Sequence, residues 1–466
     1  MKPILIATIL LGLCGHSYAE AKPNIVFILA DDLGYGDLSC YGQKNFKTPA
    51  IDALAADGIR FTDHYAGATV CAPSRCALLT GKHTGHAAIR GNGPVDLPAG
   101  ETTVATLLRQ AGYQTALIGK SCVTGNTQTP ESLARHGFAY FYGTTDHQDA
   151  HFRYPKFLYE NSKRINFPDN QLHTGNHYDL DLYTDQALTY IDRQSDEKPF
   201  FLVFSVPVPH ASMVAPEDSM AKARASVGPE KKVKVSAKHP HYTAVAEPKA
   251  SYAALVIRMD DAVAKVTAKL REKGVLDNTL VIFTSDNGSH SEGGYQPSML
   301  DSSGLFRGHK RDLYDGGIRV PFIARWPASI EPSQTSAHPS AFWDFLPTAC
   351  AIAGAPVPAG LDGISYLPTL LGSGDQKPHD SLYWEFHEKG GRRALRSGDW
   401  KLVQYDLAKT PRGPLELYNL KEDPAESSNL AARHPDVLKS LTAKLDGARQ
   451  PSALFPLPPL DSAAKD

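Results

Sequence analysis

The sequence predicts an α/β fold with a largely parallel sheet, followed by a smaller α+β domain that carries an antiparallel sheet. Short continuous apolar runs, which are typical of strands buried on both faces, alternate with predicted helices. Polar residues follow several of these runs directly, at the edge of the sheet where ligands of such folds bind. After about residue 370 the alternation gives way to short strands joined by tight turns.

The composition sets broad limits on the protein. Its 466 residues can bury a large core and are enough for two domains. The hydrophobic share of 42% and the charged share of 21% are ordinary for a globular protein. The net charge of −2 gives no sign of a nucleic-acid partner or of a basic surface for membranes.

The first residues have the pattern of a secretory signal peptide. One lysine precedes an apolar run that ends near Cys14, and Ser17-Tyr18-Ala19 forms a small-x-small cleavage site. This run is too short to span a membrane comfortably, and no later stretch is long and apolar enough to do so. We therefore predict export to the periplasm or the medium, a signal peptide over 1–19, a larger domain over 20–370 and a C-terminal domain over 371–466.

The larger domain opens with the apolar run 24–30, which predicts a central strand. Asp31 and Asp32 follow it, and two adjacent carboxylates at the end of a buried strand are costly unless a positive charge neutralises them. A hard cation with oxygen ligands is the natural partner for such a pair. Thr48 then caps a short helix predicted over 49–58.

Residues 71–82, Cys-Ala-Pro-Ser-Arg-Cys-Ala-Leu-Leu-Thr-Gly-Lys, set a nucleophilic residue at the start of a helix. Pro73 suits the first turn, because its missing N–H has no partner to lose there, and Gly81 ends the helix. Cys71 therefore lies where unpaired backbone N–H groups and the helix dipole favour an anion. Arg75, one turn further on, can reach back towards the same place. A buried structural cysteine is the alternative for any lone cysteine.

The remaining predicted elements continue to the end of the chain. Strands are predicted over 114–118, 200–206, 279–284 and 320–325, and helices over 103–111 and 251–273, with a long, partly mobile surface insertion over 211–249. In the C-terminal domain we predict strands over 382–385, 394–396, 400–405 and 416–419, and a helix over 435–448. Lys120, His210, Asp286 and Asn287 closely follow strands, so parallel strands would gather them at one edge with the acidic pair.

The string 71–82 resembles the signature of the formylglycine-dependent sulfatases, Cys-x-Pro-Ser-Arg followed by Leu-x-Thr-Gly. The similarity runs from about Asn24 to the C-terminal Leu415-Glu-Leu-Tyr-Asn-Leu and Asp423-Pro424 segments. It implies an alkaline-phosphatase-like sandwich of helices around a mixed sheet. It also implies a sulfuric ester hydrolase in which a separate maturation enzyme oxidises Cys71 to formylglycine (3-oxoalanine), whose hydrate attacks sulfur.

Four side chains with oxygen atoms form the candidate metal site: Asp31, Asp32, Asp286 and Asn287. This set lacks thiolate and imidazole ligands and suits Ca²⁺ or Mg²⁺ rather than zinc or copper. The resemblance implies the same site, usually filled by calcium, to which the group derived from Cys71 would also bind. The cation would polarise a sulfate oxygen and help to ionise the hydrate.

Three basic residues match family positions around the sulfate. Lys310 lies in a Lys-x-x-x-Tyr-Asp-Gly-Gly segment whose lysine contacts sulfate, and Lys120 occupies the lysine of the family's Gly-Lys-Trp-His segment. His210 matches the histidine that gives a proton to the leaving group. Seen alone, each would be as well explained as a solvated lysine or a structural histidine. Ser121 and Cys122 depart from the pattern, because they stand where the family often has Trp-His.

Several alternatives remain open on the sequence alone. His147, His151 and His290 are candidates to replace the missing histidine. The function is a sulfatase for a sulfated carbohydrate or a small aryl sulfate, a phosphonate or phosphodiester hydrolase, or a non-catalytic protein that binds sulfated glycans. The pocket walls are predicted from 142–154, 211–249 and 288–306, with Tyr142, His147, His151, Arg153, Tyr154 and Tyr295 suited to a polar, anionic sugar. Cys40, Cys76, Cys122 and Cys350 either form disulfides or stay reduced.

Overall fold

The computed structural model describes residues 22–93, 95–121, 129–195, 197–235, 240–409 and 413–461. The predicted signal peptide and Cys122 therefore lie outside the described residues. Within these ranges, the strands are β1 Asn24–Asp31, β2 Ile59–Phe61, β3 His64–Tyr65, β4 Gln114–Lys120, β5 Tyr140–Thr144, β6 Phe157–Glu160, β7 Lys163–Asn166, β8 Phe200–Pro209, β9 Thr279–Ser285, β10 Phe322–Arg325, β11 Gln334–Ser336, β12 Ser340–Ala341, β13 Leu382–Phe386, β14 Arg392–Ser397, β15 Trp400–Gln404 and β16 Leu415–Asn419. The helices are α1 Pro49–Ala56, α2 Cys71–Thr80, α3 Val104–Gln110, α4 Pro130–Arg135, α5 Asp179–Arg193, α6 Glu217–Val227, α7 Pro248–Glu272, α8 Asp315–Ile318, α9 Phe345–Ala353, α10 Leu367–Leu371, α11 Pro435–Gly447 and α12 Pro458–Asp461.

A ten-stranded mixed sheet forms the centre of the protein, in the order β11-β2-β10-β9-β1-β8-β4-β5-β6-β7. β1 pairs in parallel with both β8 and β9, and β4 pairs in parallel with β8 and β5. β10 runs antiparallel to β9, and β6 and β7 form an antiparallel pair at the other edge. The parallel centre was therefore predicted correctly, and the antiparallel edges make the sheet mixed, as the family resemblance implied.

Both faces of the large sheet are covered by helices, which confirms the predicted helix/sheet/helix sandwich. Side chains alternate along β1, so that Val26 and Ile28 pack with α1, α5, α6 and α7, while Phe27 and Leu29 pack with α2, α3 and α9. This double burial explains why the strand reads as a continuous apolar run rather than an alternating one.

The C-terminal residues form the predicted antiparallel sheet, in the sequential order β13-β14-β15-β16. One face packs against α11 through Leu402, Leu417 and Leu445. The opposite face packs against the larger unit through Trp384, which lies among Tyr65 and Trp343. The limits of the two domains, near residue 370, stay a prediction.

The predicted insertion 211–249 is wrong in one respect, because residues 217–227 form the helix α6. Met220 and Ala223 lie three positions apart on one face of α6 and are buried in the core beside α7. The many lysine and serine residues around them hid this narrow apolar face.

Two further observations concern cysteines and membranes. Among the described residues, Cys40, Cys71, Cys76 and Cys350 carry free thiols. No helix in the described ranges is long and apolar enough to cross a bilayer.

Candidate active site

Four neighbouring strands, β9, β1, β8 and β4, run parallel and end at one edge of the large sheet. Asp31 ends β1, Lys120 ends β4, His210 directly follows β8, and Asp286 and Asn287 directly follow β9. All of these side chains are buried. The structure therefore brings together the polar residues that the sequence analysis expected at this edge.

The acidic pair is held by one lysine for each carboxylate. Oδ2 of Asp31 accepts a hydrogen bond from Nζ of Lys120, and Oδ2 of Asp32 accepts one from Nζ of Lys310 at 2.7 Å. Nε2 of His210 lies 3.3 Å from the same Asp32 oxygen. Asp32 adopts a left-handed backbone conformation with φ of 65°, which is unusual for a residue other than glycine and marks a strained position.

Arg75 links the helix α2 to the end of β9. Its Nε donates to Oδ2 of Asp286 at 2.9 Å, and a second nitrogen lies 2.8 Å from the same oxygen. A third nitrogen donates to Oγ of Ser205 at 2.6 Å. Asp286 in turn accepts the backbone N–H of Asp32 at 3.1 Å. Arg75 thus fixes α2 against the acidic cluster.

The charges of the site are unevenly balanced. Burial alone would raise the pKa of Asp31, but the positive charges of Lys120 and Arg75 hold it well below its usual range. Burial would lower the pKa of Lys120, and Asp31 raises it, so that this lysine stays charged. Burial and the neighbouring charge of Asp31 raise the pKa of Asp286 above its usual range, although Arg75 opposes the shift. One carboxylate is therefore poorly compensated by the protein's own cations.

The oxygen atoms of this cluster fit a hard cation. Oδ1 of Asp31 and Oδ1 of Asn287 are buried, and neither has a hydrogen-bond partner among the described residues. Ligand atoms of Asp31, Asp32 and His210 lie within 4.8 Å of one another. Buried oxygens without partners are costly, and a divalent cation would satisfy them.

Cys71 is the first residue of α2 and faces a cavity of about 310 Å³ beside the acidic cluster. Its side chain is only 5% exposed, and burial raises the pKa of the thiol above its ordinary value. The protonated thiol is a weak nucleophile. Oδ1 of Asn92 lies 3.8 Å from Sγ and also accepts the backbone N–H of Ala72 at 3.3 Å, which caps the helix.

His210 and Lys310 are joined by a hydrogen bond. Nδ1 of His210 contacts the carbonyl oxygen of Ala211, and Nε2 lies 2.9 Å from Nζ of Lys310. Burial and the charge of Lys310 lower the pKa of His210 well below its ordinary value, so the imidazole is neutral and accepts a hydrogen bond from the lysine.

The three candidate histidines have different surroundings. Nδ1 of His147 lies 3.6 Å from Sγ of Cys71, and the ring of His151 stacks on His210 with centroids 4.4 Å apart. Burial, followed by the charges of Lys120 and Arg75, lowers the pKa of His147 well below its ordinary value. Both ring nitrogens of His290 bond to the backbone, at Pro209 and Glu292. His290 is thus a structural histidine and not a replacement near Cys71.

The predicted pocket wall is only partly right. His147 and His151 line the cavity, but Arg153 pairs with Asp179 at 2.9 Å and Tyr295 stacks on Tyr252. Tyr142 and Tyr154 likewise pack on Tyr183 and Tyr178. The cavity wall also contains Gln148 and Tyr242, which lie in the predicted segments 142–154 and 211–249, and Asn92, which lies outside them. Nothing in the local sequence marks Asn92 or Gln148, because loop paths bring them to the cavity.

A mixed sheet between two helical layers, with carboxylates and lysines at the carboxyl ends of its central strands, defines a hydrolase of the alkaline-phosphatase-like superfamily. The family model Sulfatase matches residues 23–355, and the model N-sulphoglucosamine sulphohydrolase, C-terminal, matches residues 303–451. The chain belongs to the sulfatase family and is a sulfuric ester hydrolase.

The similarity extends over nearly the whole chain. Arylsulfatase A of Homo sapiens is 32% identical, over 95% of this chain and 92% of its own. N-acetylgalactosamine-6-O-sulfatase of Bacteroides thetaiotaomicron is 29% identical, over 92% and 93%. The crystal structure of Ps i-CgsB in complex with k-i-k-neocarrahexaose superposes with a TM-score of 0.76 at 27% identity, over 91% of this chain and 92% of that one.

Proposed function

We propose that this sulfatase is an exported enzyme that removes sulfate from a sulfated carbohydrate, with formylglycine made from Cys71 as its nucleophile. The observation that carries the proposal is the position of Cys71, whose Sγ faces a cavity that Lys310 and His210 also line. The carboxylate of Asp32, which contacts both basic groups, belongs to the adjacent candidate cation site. Nucleophile, charge stabilisation and proton source thus lie around one space.

The Cys71 thiol is unsuited to attack sulfur directly, because burial raises its pKa. Oxidation by a maturation enzyme would replace the CH₂SH group with an aldehyde, whose hydrate carries two hydroxyl groups. One hydroxyl attacks sulfur and displaces the alcohol of the ester. Asn92 and the first turn of α2 hold the residue in place for this step.

Asp31, Asp32, Asp286 and Asn287 would hold Ca²⁺, or Mg²⁺, together with the group derived from Cys71. When bound, the cation polarises a sulfate oxygen and favours the ionised hydrate. The two unpartnered oxygens, on Asp31 and Asn287, support this assignment.

The basic residues would act on the charge of the sulfate. Lys120 and Lys310 remain protonated beside their carboxylates and can stabilise the sulfate oxygens as charge develops. The negative charge of a bound sulfate would favour protonation of His210 at Nε2, and the imidazolium would then give this proton to the leaving alcohol. Arg75 contributes by fixing the position of α2 relative to Asp286.

A carbohydrate is the substrate class that the cavity wall supports. Asn92, Gln148, His147, His151 and Tyr242 offer hydrogen-bonding groups and little aliphatic surface. One relative is named for N-acetylgalactosamine 6-O-sulfate chemistry, and one similar structure contains a neocarrahexaose. A small aryl sulfate is the second candidate, because arylsulfatase A is also similar to this chain.

The first test is the mass of the tryptic peptide from Phe61 to Arg75, prepared from the exported protein of its native host. We expect a peptide lighter by the difference between CH₂SH and CHO. The same preparation is then incubated with sulfated oligosaccharides and with nitrophenyl sulfate, and free sulfate is measured. The Cys71→Ala variant is the control and should release none. An unmodified thiol in fully exported protein would overturn the mechanism.

A further inference from the structure

His147 is the imidazole that the structure sets against the nucleophile. Its Nδ1 lies 3.6 Å from Sγ of Cys71. His147 lies in the loop that follows β5, whereas Lys120 ends β4 and His210 follows β8. Its Nε2 is buried and has no hydrogen-bond partner among the described residues. No hydrogen bond among the described residues thus holds this end of the ring, which points to a role toward the reacting group.

The loop that carries His147 is firmly anchored. The backbone N–H of His151 donates to the carbonyl of Gln148 at 3.0 Å, and Arg153 donates to the carbonyl of Ala150 at 2.6 Å. Arg153 and Asp179 then form an ion pair at 2.9 Å, with both side chains almost fully buried. An anchored loop holds the imidazole at a fixed distance from Cys71, as a catalytic group requires.

Release of sulfate needs a proton acceptor at this place. After sulfate transfer, the carbon derived from Cys71 carries one sulfate ester and one hydroxyl. The hydroxyl proton must go to a base while the C=O bond forms and the C–O bond to sulfate breaks. The electron pair of that bond leaves with sulfate, so the aldehyde is regenerated without an oxidant or reductant.

Asn92, Lys120, Lys310 and His210 are poor acceptors for this proton. Asn92, which also contacts Sγ of Cys71, has an amide that cannot take up a proton. Lys120 and Lys310 are protonated and bound to carboxylates. Nε2 of His210 already accepts a hydrogen bond from Lys310 and belongs to the leaving-group side.

We propose that His147 is the catalytic base that removes the hydroxyl proton and so releases sulfate from formylglycine. The proposal rests on the proposed function and assigns to this chain a residue outside the segment of Lys120 and Ser121. His147 acts after the alcohol has left, whereas His210 acts while it leaves.

The test uses full-length enzyme in which the aldehyde at Cys71 has been verified by peptide mass. His147→Ala removes the ring. His147→Asn keeps an amide near the position of Nδ1, which can hydrogen-bond to the hydroxyl but cannot take its proton. His177→Ala, which removes an exposed imidazole, is the matched control. Thermal unfolding of each variant reports whether the fold is kept.

Both His147 variants should release one equivalent of alcohol at a rate close to that of the unaltered enzyme, and then turn over about 10²–10⁴-fold more slowly. Mass spectrometry should find the peptide Phe61–Arg75 heavier by one sulfate group. The control should turn over normally without this adduct.

Three outcomes would overturn the proposal. Normal turnover by His147→Ala would show that the ring is not needed, and normal turnover by His147→Asn would reduce its role to hydrogen bonding. A slow variant without the sulfated peptide would move the defect to the first step. Failure of the proposed function would appear elsewhere, in the unaltered enzyme, as a thiol at Cys71 or as no sulfate release.

Discussion

Nζ of Lys310 lies 2.7 Å from Oδ2 of Asp32, although 278 positions separate the two residues in the chain. Lys120 contacts Asp31 in the same manner from the end of β4. Each carboxylate thus gives one oxygen to a lysine, and Oδ1 of Asp31 has no partner among the described residues. The arrangement keeps two ammonium groups charged while it leaves oxygen atoms available for a cation.

Removal of divalent cations is expected to abolish sulfate release and to lower the unfolding temperature, because the buried oxygens lose their counter-ion. Ca²⁺ at about one hundred times its dissociation constant should add about 2.7 kcal/mol to the free energy of unfolding. Thermal unfolding with chelator and with Ca²⁺ measures this difference. Asn287→Ala, which lacks one unpartnered oxygen, should show a smaller shift. Chelated enzyme with unchanged activity would contradict the site.

The His210→Ala variant is expected to distinguish between leaving groups. A sugar alkoxide needs a proton to leave, whereas nitrophenolate leaves readily without one. We expect kcat/KM to fall by about 10²–10⁴ for a sugar sulfate and by much less for nitrophenyl sulfate. Equal losses for both substrates would assign His210 to sulfate binding instead.

The contact between the C-terminal sheet and the Lys310 segment depends on a buried lysine. Nζ of Lys401 lies 2.6 Å from Asp315 and 2.8 Å from Glu426, and all three side chains are fully buried. Lys401→Met leaves buried Glu426 without its cation and Asp315 with Arg319 alone, and it should lower the free energy of unfolding by about 3–5 kcal/mol.

The exposed pair of Lys409 and Asp406, at 2.9 Å, supplies the control for Lys401. Lys409→Met should change stability by less than about 1 kcal/mol, because water screens exposed ion pairs. Urea unfolding of both variants compares the two contacts. If both variants lost a similar free energy of unfolding, burial would not make the ion pairs of Lys401 more important than that of Lys409.

Gly119 precedes Lys120 and allows β4 and β8 to approach closely. Its φ is 112°, and a Cβ there would lie 2.0 Å from the carbonyl oxygen of Ser205. Gly112 has a similar φ of 95° but open space around it. Both alanine variants carry a backbone strain of about 1–2 kcal/mol.

Gly119→Ala should lose about 1–3 kcal/mol more than Gly112→Ala, because only the first variant adds a clash. It should also lose activity, since Ser205 bonds to Arg75 and Lys120 is the next residue. Denaturant unfolding and sulfate release measure the two effects. Equal stability of the two variants would show that the strands can move apart.

The ion pair of His379 and Asp344 should make stability depend on pH. Burial alone would lower the pKa of His379, but the carboxylate of Asp344 at 2.8 Å raises it above its ordinary value. The folded state therefore binds the proton more tightly than the unfolded state does, whose histidine pKa is about 6.5.

The stabilisation from this pair is fully present below pH of about 6.5 and is lost as the pH rises through the folded value. Asp344 also accepts the backbone N–H of Ile364, so the ion pair helps to fix the segment around Ile364. Unfolding of the native protein and of His379→Gln is compared at several pH values. A constant difference between the two proteins at every pH would disprove the linkage.

The strand ends of the site could be predicted because their signals are local. A buried apolar run followed by Asp31, Lys120 or Asp286 needs only the neighbouring residues, and parallel topology then gathers the ends. The direction of β10 could not be predicted, since a fully buried strand has the same pattern whether it runs parallel or antiparallel. His147 could be considered only as one of three histidines, because the buried pair of Arg153 and Asp179 sets the path of its loop.

All residues of α2 are buried, and the side chain of Cys71 is 5% exposed. A small ester can reach Sγ through the cavity, but the catalytic centre of another protein is far too large to enter it. Any enzyme that oxidises Cys71 therefore has to meet the chain before α2 is packed. If Cys71 is oxidised as proposed, chemical maturation would come first, and the final collapse of the core around α2 would follow.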